Sequence, residues 1–153
     1  MQNKESLKKF LIKAKKNTYA SSGEGGEERL EDGGKELVYK EGDYFYRDRY
    51  YGYNPFLGEE IIFYNKKVIW GMNYRGRVVS DIIPSKEIYN FLKKALSLVN
   101  VNEPYRGPSN FSEGDFVYNN KVDGDVRYFR GEEKILYKGE TVYNLNYLGG
   151  LIE

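Results

Sequence analysis

Arginine and aromatic residues that could hold an anionic or aromatic ligand concentrate in the first half of the chain. Residues 47–53 read RDRYYGY, and residues 70–77 read WGMNYRGR. Because residues two apart on a β-strand share a face, the alternating arginines and tyrosines would form rows on one surface. Guanidinium groups beside aromatic rings bind carboxylates, phosphates or stacked bases. The predicted ligand-binding residues are therefore Arg47, Arg49, Tyr51, Tyr53, Trp70, Asn73, Arg75 and Arg77.

Several of these residues have a second interpretation. Trp70 has the opposite parity to Arg75 along a strand, so the two would meet only where the sheet bends or ends. Asn73 could tie neighbouring strands together as readily as it could contact a ligand. The arginines could also form a ladder of surface salt bridges with Asp48 and nearby glutamates. A salt-bridged surface and a ligand site are both compatible with the sequence.

The residue types that are missing restrict the catalytic chemistry. The chain has no Cys and no His, which excludes Ser-His and Cys-His nucleophile pairs, imidazole ligands and sulfur-bound zinc. The paired glutamates at 59–60 and 132–133 are predicted to be solvated strand starts, because adjacent strand residues point to opposite faces and cannot share a substrate. We assign no catalytic residue, no metal ligand and no cofactor. A hydrolase of unrecognised type, built on Tyr, Lys, Arg or isolated carboxylates, is an alternative.

The two halves of the sequence resemble each other. GEEIIFY at 58–64 matches GEEKILY at 131–137, and EGDYFY at 41–46 matches EGDFVY at 113–118. Apolar residues at i, i+3, i+4 and i+7 within residues 7–14, and again within residues 88–95, predict two amphipathic helices. Alternating apolar residues between these landmarks predict half-buried strands. An internal repeat is therefore predicted.

From these patterns we predict an α+β fold. Two tandem helix-plus-three-strand repeats, about 3–79 and 84–152, would form a single domain with one curved antiparallel sheet and two helices packed on one face. The stretch 20–35 is predicted to be a polar, glycine-rich loop. Two-residue hairpin turns are predicted at Asn65-Lys66 and Lys138-Gly139.

The chain also resembles a small family of bacterial and archaeal proteins, a domain of unknown function that occurs alone or behind an XRE-type helix-turn-helix segment. The resemblance covers nearly the whole chain and implies no activity. It rests on Phe10-Leu11, Glu41-Gly42-Asp43-Tyr44, Asp48, Gly58-Glu59-Glu60, Trp70-Gly71-Met72-Asn73-Tyr74, Gly76, Arg106-Gly107-Pro108 and Gly149-Gly150-Leu151.

Composition and the candidate site together favour a non-enzymatic binding or sensor domain. Its partner would be a small anionic or aromatic ligand, or another protein. Binding of single-stranded nucleic acid through Tyr, Trp and Arg is an alternative, but a net charge of +1 counts against a dedicated nucleic-acid binder. No segment has the length and hydropathy of a signal peptide or membrane span, so we predict a cytoplasmic protein without membrane contact. The sequence makes no prediction of oligomeric state.

Overall fold

The computed structural model describes residues 3–18 and 27–153. Within them lie two helices and nine strands. In chain order they are α1 (Lys4–Lys16), β1 (Glu28–Arg29), β2 (Lys35–Glu41), β3 (Tyr44–Gly52), β4 (Phe56–Tyr64), β5 (Lys67–Val78), α2 (Ser85–Leu96), β6 (Asn110–Glu113), β7 (Phe116–Asp125), β8 (Tyr128–Tyr137) and β9 (Glu140–Leu151).

All nine strands belong to one antiparallel sheet with the order β1-β2-β3-β4-β5-β9-β8-β7-β6. Strands β5 and β9 pair at its centre, where Tyr74 lies opposite Tyr147 and Arg75 opposite Asn146. This central pairing joins the strands that follow α1 to the strands that follow α2.

The predicted unit of one helix and three strands is wrong. The structure is dominated by its sheet: five strands follow α1 and four follow α2. The sequence pattern missed β1, β2 and β6, which lie toward the two edges of the sheet. Edge strands are often short and charged, which weakens the apolar alternation that identifies a strand. Strand β6 contributes a single apolar side chain, Phe111.

The predicted loop at 20–35 is only partly described, and its glycine-rich run, residues 23–26, lies outside the described residues. Its described part contains β1 and the turn into β2, where Gly33 has a φ of 90°. Whether the two halves are true repeats of one domain stays a prediction.

The helices bury their apolar stripes against one face of the sheet. Asn3 caps α1, because its side-chain oxygen accepts a hydrogen bond from the Glu5 amide at 3.0 Å. The ring of Phe10 stacks on Tyr44, and that of Phe91 stacks on Phe116. The apolar patterns of the sequence predict twelve core residues: Leu7, Phe10, Leu11, Ile62, Tyr64, Trp70, Met72, Phe91, Leu92, Ile135, Tyr137 and Leu145. Ten of them are buried. The two others, Tyr64 and Tyr137, are half-buried.

Both predicted hairpin turns are confirmed. Asn65 and Lys66 have φ values of 48° and 67°, and Lys138 and Gly139 have 48° and 81°. Positive φ at both central residues matches the right-handed twist of the paired strands. The turns therefore fix the register of β4 with β5 and of β8 with β9.

The opposite face of the sheet, which we call the open face, is covered by neither described helix. Large apolar side chains such as Val38, Leu57 and Leu148 are about half exposed there. The side chains of β3, β4, β5 and β9 that point away from the helices therefore meet solvent in the middle of the sheet.

Candidate functional site

A shallow depression of about 550 Å³ lies on the open face across β3, β4, β5 and β9. We call it the open-face depression. It is lined by Arg49, Tyr51, Leu57, Gly58, Glu59, Asn73, Tyr74, Arg75, Asn146, Tyr147 and Leu148.

Two rows of cross-strand neighbours form this surface. The first row runs Arg49, Glu59, Asn73, Leu148 from β3 to β9. The second runs Tyr51, Leu57, Arg75, Asn146 across the same strands. Neighbours in a row stand about 5 Å apart, so eight side chains from four strands can contact one small molecule.

Carboxylates of the β1–β2 region hold the β3 side of the depression. The guanidinium of Arg49 donates a hydrogen bond to Glu36, and the Tyr51 hydroxyl donates to Asp32 at 2.5 Å. The latter bond raises the pKa of Tyr51, so its phenol stays protonated near neutral pH. These hydrogen bonds fix Arg49 and Tyr51 in place and use part of their hydrogen-bonding capacity.

The other two charged residues of the depression have no such partner. Neither Arg75 on β5 nor Glu59 on β4 forms a hydrogen bond or ion pair with any part of the chain that the structure describes. Both side chains are exposed. Their charges therefore face the depression unneutralised.

The structure brings four of the eight predicted residues together: Arg49, Tyr51, Asn73 and Arg75. Three others lie outside the depression. Arg47 stands over the ring of Phe63 at 5.4 Å, and Tyr53 follows the end of β3, 3.2 Å from Ser85 through its hydroxyl. Arg77 lies further along β5, opposite Asn144.

Trp70 lies in the core and does not contribute to this surface. It is fully buried, its ring stacks on Phe129, and its indole nitrogen donates to the Val126 carbonyl at 3.2 Å. Its parity, opposite to that of Arg75, already indicated the other face of the strand. A ligand on the open face cannot contact it.

Seven lining residues were missed as site residues: Leu57, Gly58, Glu59, Tyr74, Asn146, Tyr147 and Leu148. Their alternation on strands is visible in the sequence. The β9 residues among them, such as Asn146 and Leu148, join the others only through the pairing of β5 with β9, which brings together segments some seventy residues apart. Local patterns do not predict such pairings.

A second group of polar residues lies buried under the helices, and we call it the buried network. Glu60 is fully buried, so the prediction that it is solvated is wrong. Its carboxylate accepts hydrogen bonds from Lys15 at 2.7 Å and from Tyr46 at 2.5 Å. Lys15 also donates to the Tyr105 carbonyl at 2.6 Å.

Glu133 occupies the corresponding position on β8 and is also fully buried. The prediction that it is solvated is therefore wrong as well. Arg106 holds it with two hydrogen bonds, of 2.8 and 3.1 Å. The hydroxyls of Tyr118 and Tyr143 donate to the same carboxylate at 2.5 and 2.9 Å. A fork of this kind satisfies a buried carboxylate fully.

A third carboxyl group, Asp48, faces Glu60 across β3 and β4. It accepts a hydrogen bond from Tyr74 at 2.6 Å. Burial and the neighbouring charge of Glu60 raise the pKa of Asp48 to about 8, so it is protonated near neutral pH. In the second half Asn120 stands at this place and accepts the corresponding bond from Tyr147 at 2.7 Å.

The buried network positions elements of the fold. It ties α1, through Lys15, and the segment before β6, through Arg106, to the sheet. Its carboxylates are buried, and among the described residues no group of three acidic side chains could hold a metal ion. No described helix is long and apolar enough to cross a membrane.

The network and the depression meet at Tyr74. Tyr74 lines the depression and donates its hydroxyl to Asp48. Gly58 makes this geometry possible, because a Cβ there would lie 2.4 Å from the Tyr74 hydroxyl oxygen. Because Tyr74 has the same parity on β5 as Trp70, its side chain lies on the helix face of the sheet with the buried network.

Comparison with known proteins places this architecture in a family. A family model described as Domain of unknown function (DUF5680) matches residues 48–152. The chain belongs to the DUF5680 family. The matched region contains every lining residue of the depression and all three buried carboxylates, whereas Lys15 precedes it.

The family confirms the resemblance in its coarser form, a domain of unknown function. No curated protein and no solved structure matches the chain. The function of this DUF5680 chain must therefore be argued from its own side chains.

Proposed function

We propose that this chain is a ligand-binding domain that holds a small molecule with an anionic group in the open-face depression. Arg75 carries the proposal: it is an unpaired guanidinium inside a depression of about 550 Å³. Pockets for small ligands commonly measure about 300–1,000 Å³ and combine apolar walls with a few polar groups. The depression matches both properties.

Different lining residues would bind different parts of the ligand. The planar guanidinium of Arg75 offers a carboxylate two parallel hydrogen bonds. Asn146 lies directly opposite Arg75 and can donate through its amide. Leu57 and Leu148, both about half exposed, and the ring of Tyr51 can cover an apolar or aromatic part of the ligand.

The finer role of sensor, and a cytoplasmic location, rest on the resemblance and on composition. A domain that stands alone or behind a helix-turn-helix segment is well placed to report a ligand to a regulator. An acidic protein segment could use the same guanidinium, and we treat it as an outcome of the experiment.

Nucleic-acid binding has less support. Trp70, the largest candidate for base stacking, is buried. A carboxylate also lies among the positive charges of the open face, since Glu59 stands directly opposite Arg49 on the neighbouring strand. A nucleic acid would bind with affinity that falls steeply as salt rises.

A thermal-shift screen of carboxylic metabolites, acidic peptides and oligonucleotides tests the proposal, with Arg75→Ala and Arg77→Ala as a matched pair. Both arginines are exposed on β5, but only Arg75 lines the depression. A ligand at about 100 times its Kd stabilises the native state by about 2.7 kcal/mol, which raises Tm by several degrees.

We expect the Arg75→Ala variant to lose this shift and the Arg77→Ala variant to keep it. Equal responses of the two variants would remove the depression as the binding site. A shift given by oligonucleotides alone, and abolished by salt, would favour nucleic-acid binding instead.

A further inference from the structure

The open-face depression contains two unpaired charges of opposite sign. Arg75 stands opposite Leu57, and Glu59 stands opposite Asn73. The two charged residues are therefore diagonal neighbours on β4 and β5, about 7–8 Å apart. Neither forms a hydrogen bond or ion pair with another described residue; Arg49, which stands opposite Glu59, is bound to Glu36 instead.

Elsewhere on the open face, neighbouring side chains of opposite charge do form ion pairs. On the β8 side, Glu132 pairs with Lys134 at 3.2 Å, and Arg130 approaches Asp123 at 3.6 Å. Glu132 has the same place relative to Asn146 that Glu59 has relative to Asn73. In the depression, Glu59 and Arg75 thus remain without an ion-pair partner, whereas Glu132, the equivalent carboxylate on β8, is paired with Lys134.

We infer that the ligand of the depression is a small zwitterion of the α-amino-acid type. This inference rests on the proposed function and adds the chemical class of the ligand. The ligand carboxylate would bind Arg75 and Asn146, and its ammonium group would bind Glu59 and the Asn73 side-chain oxygen.

The charge of Glu59 is the reason for choosing a zwitterion over a simple anion. A carboxylate beside the guanidinium repels a ligand that carries only negative charge, whereas an ammonium group turns the same carboxylate into a partner. The apolar side chain of the ligand would cover Leu57 and Leu148, so aliphatic and aromatic amino acids fit best.

The test uses L-leucine and L-phenylalanine, each in three forms: the free amino acid, its N-acetyl derivative and its amide. The free amino acid carries both charges, the N-acetyl derivative only the negative one and the amide only the positive one. Affinities are measured by calorimetry for the wild type, Glu59→Gln and Glu132→Gln. Glu132 is the matched control, because it lies on the same face outside the depression.

We expect at least one free amino acid to bind the wild type about tenfold or more tightly than either derivative, since each lost charge removes a charge-assisted hydrogen bond. The Glu59→Gln variant should lose the preference over the N-acetyl derivative, and Glu132→Gln should retain it. An N-acetyl derivative that binds the wild type as tightly as the free amino acid would overturn the zwitterion and leave the proposed anion site intact. Absence of binding by every compound, or equal losses in the two variants, would also overturn it, while the metabolite screen decides the proposed function separately.

Discussion

Asp48 shows how one buried side chain couples the stability of this fold to pH. Four charged or titratable groups face it: Glu60 on β4, Tyr74 on β5, Lys15 on α1 and Arg106 before β6. Burial and Glu60 favour its protonated form, and they outweigh the opposite effect of Tyr74 and the two cations. The folded protein therefore retains a proton that the unfolded chain releases near pH 4.

The free energy of unfolding should consequently fall as pH rises. Between the unfolded pKa near 3.8 and the folded pKa of about 8 the native state binds one more proton than the unfolded state. Stability then declines by about 1.4 kcal/mol per pH unit across that window. Urea unfolding at pH 5, 6 and 7 measures the slope. Burial lowers the pKa of Lys15, which acts on stability in the opposite direction, so the contribution of Asp48 is read as the difference in slope between the wild type and a variant at position 48.

Asp48→Asn is the control for this slope. Asn120 already fills the corresponding place and accepts the bond from Tyr147, so an amide suits the site. We expect the variant to lose the slope and to exceed the wild type in stability at pH 7. A wild-type slope that persists in Asp48→Asn would assign the proton to another group.

At the scale of elements, Arg106 is one of the residues that hold the segment between α2 and β6 against the sheet, together with the Lys15–Tyr105 hydrogen bond. Arg106 is buried and forms two hydrogen bonds with Glu133, whereas Arg127 makes a similar pair with Asp125 in solvent. Removing one partner of a buried pair leaves a charge without water or counter-ion, and an exposed pair loses little.

Arg106→Ala should therefore lower the free energy of unfolding by about 3–5 kcal/mol, and Arg127→Ala by less than about 1 kcal/mol. Chemical denaturation of both variants measures the difference. Similar losses would show that burial of the Arg106 pair does not anchor the segment.

The packing of β8 against β9 requires a residue without a side chain at Gly131. A Cβ at Gly131 would lie 2.0 Å from the Tyr147 ring, whereas one at Gly139 would meet nothing within 4 Å, although its φ is 81°. Gly131→Ala should cost about 3 kcal/mol through overpacking, and Gly139→Ala about 1 kcal/mol through backbone strain. Thermal unfolding of the two variants tests this order. A larger loss of stability in Gly139→Ala than in Gly131→Ala would contradict a close contact between Gly131 and Tyr147.

Across the whole molecule, sequence patterns predicted the helices and hairpin turns correctly. They did not predict features that depend on contacts between segments far apart in the chain. The apolar stripes of α1 and α2 and the two hairpin turns were predictable, because neighbouring residues determine them. The edge strands β1 and β6 and the neighbouring strand β2 were missed because they are short or rich in charged residues and show little apolar alternation. Burial of Glu60 and Glu133 was missed because their cationic partners come from other elements, Lys15 from α1 and Arg106 from a loop. Four of the predicted binding residues, Arg49, Tyr51, Asn73 and Arg75, line the open-face depression, but only the pairing of β5 with β9 adds Asn146 and Leu148.

The most direct test of the binding site is an NMR titration of the ¹⁵N-labelled full chain. The added compounds are an equimolar mixture of the twenty amino acids and, separately, of their N-acetyl derivatives. We expect amide shifts to change at Arg49, Tyr51, Glu59, Asn73, Arg75 and Asn146, and to leave the exposed faces of α1 and α2 unchanged. Changes confined to the helices, or spread evenly over the sheet with both mixtures, would contradict a site in the open-face depression.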